Sequence, residues 1–432
     1  MQKRIFETEL QGAPLSLETG ELAQFANGAV LVRYGDTVVL TTVTASSQPR
    51  EGIDFFPLSV DYEEKMYSVG KIPGGFLKRE GRPTENAVLT ARSIDRPIRP
   101  LFPDDLRNDV VVNNLILSVD HDHSPQVAAL IGTSAAIHIS DIPWGGPVAG
   151  VQIALIEDEV IINPTLEQTE QSDLDLFLAG TKDKICMIEA GANEVKDEKM
   201  LEAIEKGQKV ISEVCHMIDG MRDEIGKEKF SYESKKAPKA LFDEVLARYR
   251  DGMREAVLSA DKSVRDQAVG ALSADIKNFI ATEHEADAGF TSEVIDELEM
   301  YVVREYLLNE QRRVDGRGLD EIRALTAKVD LLPRVHGSAL FSRGQTQVLT
   351  ICTLGTVDDA QRLDGVDTKE SKRYMHQYNF PAYSVGEARP NRSRSSASSW
   401  SPGNRTRSIG RARTLAGTAE LRRIPVLHAP CL

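Results

Sequence analysis

The alternation of apolar and polar residues contains one strand–turn–strand pattern that occurs twice. Apolar and β-branched residues fill positions 28–44 and again positions 337–353, and a polar–glycine–polar turn interrupts each run. This pattern predicts a β-hairpin in each segment. The two copies align at one offset of 309 residues (337 minus 28), which places Gly35 on Gly344 and Thr37 on Thr346.

A second repeated motif follows each hairpin at an offset of 316 residues (383 minus 67). The two occurrences are Tyr67-Ser68-Val69-Gly70 and Tyr383-Ser384-Val385-Gly386. The repeat is therefore longer than one hairpin, and it indicates a duplicated domain.

Residues 1–212 are predicted to form the first domain. Strand patterns cover residues 55–62, 110–119, 148–162 and 174–188. Helix patterns run from an N-cap at Thr84 towards Asp95 and over residues 126–140, where the segment is apolar enough to be buried. Strand pairs interleaved with helices indicate an α+β fold with helices on one face of a mixed sheet.

Between residues 213 and 311 the apolar residues recur at the spacing of a helix instead of a strand. Apolar residues recur at helical spacing around 241–257 and 294–302, and no strand-like alternation intervenes. We predict an all-helical domain between the two copies. Its charged residues are interpreted as solvated surface rather than as a site: Arg248, Arg250, Asp251, Arg254 and Glu255.

The second copy is predicted to occupy residues 312–390. From residue 391 onward the pattern stops, because residues 391–432 hold eight arginines, no lysine and one acidic residue without strand or helix periodicity. Residues 391–432 are predicted to be an aberrant, disordered tail.

Composition limits the classes of function. The net charge is −14, so a site for a polyanion has to be a local basic patch. The four cysteines are far apart and form no CxxC, which favours buried reduced thiols and a cytoplasmic protein. No apolar run approaches the ~20 residues of a membrane-spanning helix, and the first residues show no targeting pattern, so we expect no membrane association.

One basic patch, within residues 71–99, could bind phosphates. Arginines spaced i, i+4 and i+7 would share one helical face, and a neighbouring phenylalanine could stack on a base. The candidate RNA-binding residues are Phe76, Lys78, Arg79, Arg82, Arg92, Arg96 and Arg99. The alternative is a set of structural ion pairs with Glu80, Glu85 and Asp95.

Other candidate sites are weaker. His121 and His123 could ligate a metal, but a polar loop explains them better. His336 and Ser338 could suggest a base with its nucleophile, although they lie where the repeat places the entry to a hairpin. Four aspartates, Asp358, Asp359, Asp364 and Asp367, miss the calcium-loop spacing. The sequence contains no Walker A motif, which disfavours a P-loop enzyme.

The chain resembles the bacterial polynucleotide phosphorylases (polyribonucleotide nucleotidyltransferases) over residues 1–390. The motifs that carry the resemblance are Asp54-Phe55-Phe56-Pro57-Leu58, Gly70-Lys71-Ile72-Pro73-Gly74, Lys78-Arg79-Glu80-Gly81-Arg82-Pro83, Ile94-Asp95-Arg96-Pro97, Asp315-Gly316-Arg317 and His336-Gly337-Ser338. The resemblance implies an α+β fold of two ribonuclease-PH-like (ribosomal S5 domain 2-like) domains, the second incomplete, joined by an all-helical linker domain.

The resemblance also implies a function. Members of the family degrade single-stranded RNA from 3′ to 5′ by phosphorolysis, with inorganic phosphate as co-substrate, Mg²⁺ as cofactor and nucleoside diphosphates as products, in mRNA degradation. It further implies a cytoplasmic homotrimer with RNA entering a central pore, and degradosome-type partners. The loop from Phe76 to Arg82 would line that pore.

The family's catalytic groups lie in its second ribonuclease-PH domain, and the sequence here does not contain them. The Gly-Arg-Arg-Glu-Ile-Gly-His-Gly motif, the serine-rich phosphate loop and the Asp-x-Lys are absent, and the first copy offers only Asp173 and Asp175 with Phe177 in place of the lysine. We therefore assign no catalytic and no metal-binding residue, and we expect this chain to be inactive alone. A non-catalytic RNA-binding or ring-scaffold protein is the alternative, and a small-molecule kinase is a remote third class.

The tail suggests why these motifs are absent. Read one base later, synonymous codons for residues 400–414 can spell Gly-Arg-Arg-Glu-Ile-Gly-His-Gly-Ala-Leu-Ala-Glu-Arg-Ala-Leu, which resembles the family. We expect a single-base frameshift between about Pro390 and Trp400 and hence a truncated, aggregation-prone second domain. Sequencing the gene there tests the idea, since codons that cannot encode this alternative would reject it.

Overall fold

The chain begins with a six-stranded mixed sheet. The computed structural model describes residues 3–53, 55–232, 234, 236–368, 370–386, 388 and 424–430, with Val385 and residues 424–430 described by backbone alone. The strands of this sheet are β1 (Arg4–Leu10), β2 (Ala13–Thr19), β3 (Gly28–Tyr34), β4 (Thr37–Ala45), β5 (Leu58–Glu64) and β6 (Val110–Ser118). Their order is β1-β2-β3-β4-β6-β5; β5 and β6 are parallel and the other neighbours antiparallel.

A second sheet of four antiparallel strands completes the first domain. It consists of β7 (Ala149–Ile156), β8 (Glu159–Ile162), β9 (Leu174–Gly180) and β10 (Ile185–Ala192), in the order β10-β9-β7-β8. The helices of this domain are α1 (Glu85–Ile98), α2 (Pro125–Ile139), α3 (Leu166–Gln171) and α4 (Asp197–Ile225), with short 3-10 turns at Met66–Val69 and Arg99–Leu101.

Helix α2 lies at the centre of this domain. It packs on β3 and β4 of the first sheet, on β7 of the second and on α4. All its residues from Val127 to Ile139 are buried, because its sequence is apolar on every face, as the sequence predicts. The Asn114 side-chain oxygen accepts hydrogen bonds from Thr41 (2.7 Å) and Thr133 (3.0 Å), so the hydroxyls of these two buried threonines are satisfied.

The sequence places the first domain boundary at residue 212, which falls inside α4. Helix α4 continues to Ile225, and its residues Val214, Cys215, Ile218 and Met221 are buried with the core residues of the first domain. The apolar stripe of one long helix holds these residues together, so the helical spacing after residue 212 belongs to the first domain.

Backbone contacts divide the described residues into two units. The larger comprises residues up to 233, 328–340 and those from 348 onward; the smaller comprises 234–327 and 341–347. The smaller unit contains α5 (Lys239–Val257), α6 (Lys262–Glu283), a 3-10 turn (Glu285–Phe290) and α7 (Thr291–Glu310), packed around a separate apolar core. The all-helical region predicted between the two copies is confirmed.

The charged residues of α5 serve partly as packing contacts. Arg250 pairs with Glu305 on α7 at 2.6 Å, and Arg254 pairs with Glu310 at 2.8 Å. The Arg248 guanidinium lies 4.5 Å from the centre of the Phe279 ring. These contacts join the helices of the smaller unit to one another.

The later strands contain the predicted second hairpin. They are β11 (Leu325–Val329), β12 (Gly337–Arg343), β13 (Thr346–Gly355), β14 (Gln361–Arg362), β15 (Ser371–Lys372), β16 (Met375–Asn379) and β17 (Ile424–Pro430), with 3-10 turns at Val357–Asp359 and Ala382–Val385. Five of them form a sheet in the order β11-β12-β13-β17-β16, and β14 pairs with β15.

The backbone repeats its conformation in both copies. Gly35 and Gly344 turn the two hairpins with φ of 55° and 60°, and Gly70 and Gly386 end the two 3-10 turns with φ of 69° and 77°. A positive φ favours glycine at each place. The predicted duplication is therefore confirmed in the chain's local geometry.

One strand lies where the sequence predicts disorder. The backbone of β17 pairs antiparallel with β13 and parallel with β16. The unpaired edges of β13 and β16 provide the hydrogen-bonding partners for this segment. Residues 391–423, 431 and 432 lie outside the described residues, so the frameshift and the disorder of the remaining tail stay predictions.

Within the described residues, no helix is both long and apolar enough to cross a membrane.

The cysteines differ in their exposure. Cys215 is buried, and burial raises the pKa of its thiol to about 12, whereas Cys352 is half-buried and Cys186 is exposed. The expectation of buried thiols is thus wrong for Cys186, which occupies an outward-facing position of β10. Cys431 lies outside the described residues.

The buried imidazole of His138 gives the first domain a pH dependence. Burial lowers the pKa of His138, with Lys229 and Arg222 adding to the effect and Asp219, whose Oδ1 lies 3.0 Å from Nε2, opposing it. The folded state thus binds a proton less readily than the unfolded state. We expect the free energy of unfolding to fall as pH drops below the ordinary histidine pKa of about 6.5.

Urea denaturation at a series of pH values measures this effect. His138→Gln, which cannot ionise in this range, should show a smaller loss of stability between neutral and mildly acidic pH than the wild type. An identical loss in both proteins would contradict the role of His138.

Candidate nucleic-acid interface

A cavity of about 760 Å³ lies at the predicted basic patch. Strand β5, helix α1 from Ala87 to Asp95 and the loop from Pro73 to Thr84 contribute to its walls. Four of the candidate arginines line it: Arg79, Arg82, Arg92 and Arg99. Carboxylates also line it, namely Asp61, Glu63, Glu64, Glu80, Asp95 and Asp364. The structure thus brings residues from separate segments of the patch to one concave surface.

The sequence fixes both ends of the loop. At its start, Gly70 ends the 3-10 turn with a φ of 69°. At its end, Thr84 caps α1 by accepting a hydrogen bond from the Ala87 amide at 3.0 Å, as its sequence predicts. The Thr84 hydroxyl also donates to Glu64 at 2.6 Å. These contacts connect the loop to the rigid strand β5.

The arginines of the cavity differ in their contacts. Arg79, Arg82 and Arg92 are exposed, and within the described residues they make no hydrogen bond or ion pair. A guanidinium without a protein partner keeps its donors available for a phosphate. These three residues are therefore the cationic part of the candidate site.

Arg99 has a different role. Its guanidinium donates to both oxygens of Asp95, at 2.7 and 2.9 Å, and to the Leu58 carbonyl at 3.0 Å. Contact of Arg99 with RNA stays a prediction, while the bonds that it makes here are those of the alternative interpretation, a structural ion pair. The physical reason is that α1 ends at Ile98, and Arg99 begins a 3-10 turn that holds its side chain against β5.

The remaining candidates lie outside the lining of this cavity. Phe76 is 99% exposed on the loop, and Arg96 is exposed on α1 one turn after Arg92. The Lys78 Nζ lies 3.5 Å from the Gly74 carbonyl. An aromatic ring with no packing contact is available to stack on a base. Phe76, Lys78 and Arg96 therefore stay predictions of RNA contact.

Two of the acids that could have formed ion pairs with these arginines, Glu80 and Glu85, bind other groups. Glu80 accepts a hydrogen bond from the Met66 amide at 3.0 Å, and Glu85 pairs with Lys372 of the second copy at 2.6 Å. Among the described contacts, neither acid forms an ion pair with Arg79, Arg82 or Arg92. Residues of the second copy also reach the cavity, since Asp364, Gly365 and Val366 line it. Sequence reasoning missed this contact, for which the only signal was the cluster of aspartates.

Burial raises the pKa values of two acidic side chains that line the cavity, Tyr62 and Glu64. Burial raises the pKa of Glu64, and nearby Asp367 adds to the shift while the hydrogen bonds from Thr84 and Asn86 oppose it. Burial also raises the pKa of Tyr62 well above its ordinary value.

The other candidate sites have structural roles. Asp120 holds the His123 ring, which packs against Tyr34 at 4.8 Å between ring centres. His336 Nδ1 accepts the Leu354 amide at 2.8 Å, and the Ser338 hydroxyl accepts the Leu331 amide at 2.9 Å. These atoms bind backbone groups, which argues against a base and a nucleophile.

The described residues do not provide a set of ligands for the metal ion that the family resemblance implies. Among the described residues, no three side chains of histidine, cysteine, aspartate or glutamate converge as metal ligands. Asp359 caps a 3-10 turn by accepting the Thr356 amide at 2.7 Å. We therefore derive no chemical step through a metal ion.

Family models match most of the chain. The 3′ exoribonuclease family, domain 1, matches residues 11–143 and 321–412, and domain 2 of that family matches residues 146–210. The first model alone covers more than half of the chain, and its second match passes the Pro390 at which the sequence prediction ends the second copy. Residues 240–318 match the polyribonucleotide nucleotidyltransferase, RNA binding domain. The sequence interpretation treated the charged residues there as surface and assigned no RNA binding to them.

Two known proteins similar to this chain are polyribonucleotide nucleotidyltransferases. The polyribonucleotide nucleotidyltransferase of Ruminiclostridium cellulolyticum is 57% identical over 387 residues, which are 90% of this chain and 55% of the relative. That of Lachnoclostridium phytofermentans is 52% identical over 395 residues, 90% of this chain and 56% of the relative. The chain thus spans about half the length of the curated relatives it matches.

A solved structure shows a more distant similarity. An Archaeoglobus fulgidus exosome with RNA bound to its active site matches 49% of this chain and 86% of its own, with 17% identity and a TM-score of 0.39. A score this low adds nothing to the assignment, which rests on the family models and the close relatives. The chain belongs to the 3′ exoribonuclease family, and it is similar to the polyribonucleotide nucleotidyltransferases named above.

Proposed function

We propose that this chain is part of a polyribonucleotide nucleotidyltransferase subunit and that it binds single-stranded RNA at the cavity of Arg79, Arg82 and Arg92. The observation that carries the proposal is the absence of protein partners, among the described residues, for three exposed arginines around one cavity. Each guanidinium can donate two parallel hydrogen bonds to a phosphate. The exposed Phe76 ring would add stacking on a base, which does not depend on sequence.

The reaction that we propose for the whole subunit is 3′-to-5′ phosphorolysis of RNA to nucleoside diphosphates in mRNA degradation. Inorganic phosphate would attack the terminal phosphodiester, and the bond from phosphorus to the 3′ oxygen of the preceding nucleotide would break, which releases a nucleoside diphosphate and leaves the RNA one residue shorter. The expected cofactor Mg²⁺ would supply charge stabilisation in the whole subunit, and none of the described residues is assigned to hold it. We also propose a cytoplasmic trimer with the loops of three subunits around one pore, and degradosome-type partners. High identity to named relatives supports these proposals.

Binding and turnover can be tested separately with the purified chain. Fluorescence anisotropy with a labelled oligoadenylate should show binding that weakens steeply with salt, because arginine–phosphate contacts release counterions. Phosphate-dependent release of ADP from polyadenylate measures phosphorolysis. Absence of salt-sensitive binding would overturn the proposed RNA site.

A second candidate is a non-catalytic RNA-binding or ring-scaffold role. It is favoured by the sequence itself, which does not contain the family's Gly-Arg-Arg-Glu-Ile-Gly-His-Gly motif. RNA binding without phosphate-dependent ADP release would select this candidate. ADP release that requires both RNA and phosphate would exclude it.

A further inference from the structure

The glycine-rich loop of the RNA cavity is tied to the second copy by a carboxylate. The Gly74 amide donates a hydrogen bond to Asp364 Oδ2 at 3.0 Å, across 290 residues of sequence. The Lys71 Nζ donates to the neighbouring Gly365 carbonyl at 3.3 Å. We call this pair of contacts the loop latch.

An added Cβ at position 74 would displace the Asp364 carboxylate. A Cβ built on Gly74 would lie 2.0 Å from Asp364 Oδ2, whereas a Cβ on Gly75 would meet nothing within 4 Å. Neither glycine has a positive φ, so the backbone itself accepts alanine at both positions. The two glycines thus differ in whether an added Cβ would collide with the Asp364 side chain: it would at Gly74 and would not at Gly75.

Other contacts anchor the segment that carries Asp364. Val366 is 7% exposed, and Lys372 pairs with Glu85 at the start of α1 at 2.6 Å. The segment therefore remains attached to the first domain when the Asp364 side chain is removed. This anchoring lets Asp364 present its carboxylate to Gly74 from a fixed position.

The loop itself has few other attachments. Residues 74–83 are all exposed, and among the described contacts the Glu80 bond to the Met66 amide at 3.0 Å joins the later part of this segment to the domain. A segment with so few buried contacts samples several conformations unless it is tied down. The latch supplies the restraint at the other end of the segment, before Arg79 and Arg82.

We propose that Asp364 is a positioning residue for RNA binding, which it supports by holding the loop so that Arg79 and Arg82 line the cavity before RNA arrives. The inference rests on the proposed function. Ordering a loop in advance removes an entropic cost from the binding step. The second copy would thus contribute to the RNA site of the first without contacting RNA.

The opposite reading of the same contact makes a different prediction. If the Asp364 carboxylate occupied the place of an RNA phosphate, removing its charge would strengthen binding. Asparagine distinguishes the two readings, because its amide oxygen can still accept the Gly74 amide while its charge is gone.

Four variants test the latch in the full chain: Asp364→Ala, Asp364→Asn, Gly74→Ala and Gly75→Ala. Anisotropy with a labelled oligoadenylate gives the RNA affinity, and trypsin digestion without RNA gives the rate of cleavage after Lys78 and Arg79. We expect Asp364→Ala and Gly74→Ala to weaken binding by about fivefold, roughly 1 kcal/mol, and to speed cleavage. Asp364→Asn and Gly75→Ala should behave as the wild type in both assays.

The double variant Asp364→Ala with Gly74→Ala adds a further check. It should lose no more affinity than either single variant, because both changes remove the same contact. Additive losses of RNA affinity in the double variant would overturn the latch. Tighter RNA binding by both Asp364→Ala and Asp364→Asn, each measured separately, would also overturn it. Normal affinity and cleavage in Asp364→Ala would also overturn it. If the wild type fails to bind oligoadenylate, the proposed function itself is rejected, which is a distinguishable result.

Discussion

Replacing Arg79, Arg82 and Arg92 together by alanine should weaken binding of single-stranded RNA by about 100-fold. The estimate takes about 1 kcal/mol for each exposed arginine–phosphate contact and a factor of ten for every 1.4 kcal/mol. The slope of log affinity against log salt should also decrease by about 2, since each phosphate contact with a single strand contributes about 0.7. Fluorescence anisotropy over a salt series measures both quantities.

The matched control removes the same charge elsewhere on the first domain. Arg4, Arg33 and Arg50 are exposed but pair with Glu224, Glu18 and Asp109. Their triple alanine variant changes the net charge equally and should reduce RNA affinity far less. Equal losses in both triple variants would show that general charge, rather than the cavity, governs binding.

Gly28→Ala should destabilise the first domain by about 3 kcal/mol, the upper part of the usual range for overpacking a core. A Cβ on Gly28 would lie 2.1 Å from the Ala136 carbonyl oxygen of α2, a backbone atom that cannot rotate away. Strand β3 and the buried helix α2 would have to separate. Urea unfolding followed by Trp144 emission, in a Trp400→Phe background, measures the shift in midpoint.

The duplication supplies a control at the equivalent position. Gly337 aligns with Gly28, but among the described residues a Cβ there would meet Cys352 alone, at 3.4 Å, which is an ordinary contact distance. Gly337→Ala should therefore leave the unfolding of the first domain unchanged. A similar loss from both substitutions would show that helix–strand contact is not the cause.

Local patterns determined the hairpins, the caps and the duplication. Alternation with a central glycine placed β3 and β4, and the same pattern placed β12 and β13. Thr84 was identified as the cap of α1 from its position alone. These features depend on residues a few positions apart, whose conformational preferences do not need the rest of the fold.

The extent of the first domain depended on packing at longer range. The helical period after residue 212 is the same whether a helix covers the first core or begins a new domain. The burial of Val214 and Ile218 in the first core decided that α4 belongs to the first domain.

The sequence by itself determined the duplication, the helical region between the copies, the basic patch and the family resemblance, because these reside in the order of residue types. The tertiary structure alone decided which arginines are available. Arg99 is held by Asp95, while Arg79, Arg82 and Arg92 surround the cavity without partners among the described residues. It also brought Asp364 to Gly74. Spacing along a chain cannot reveal a contact across 290 residues, because that distance is set by how the two copies pack.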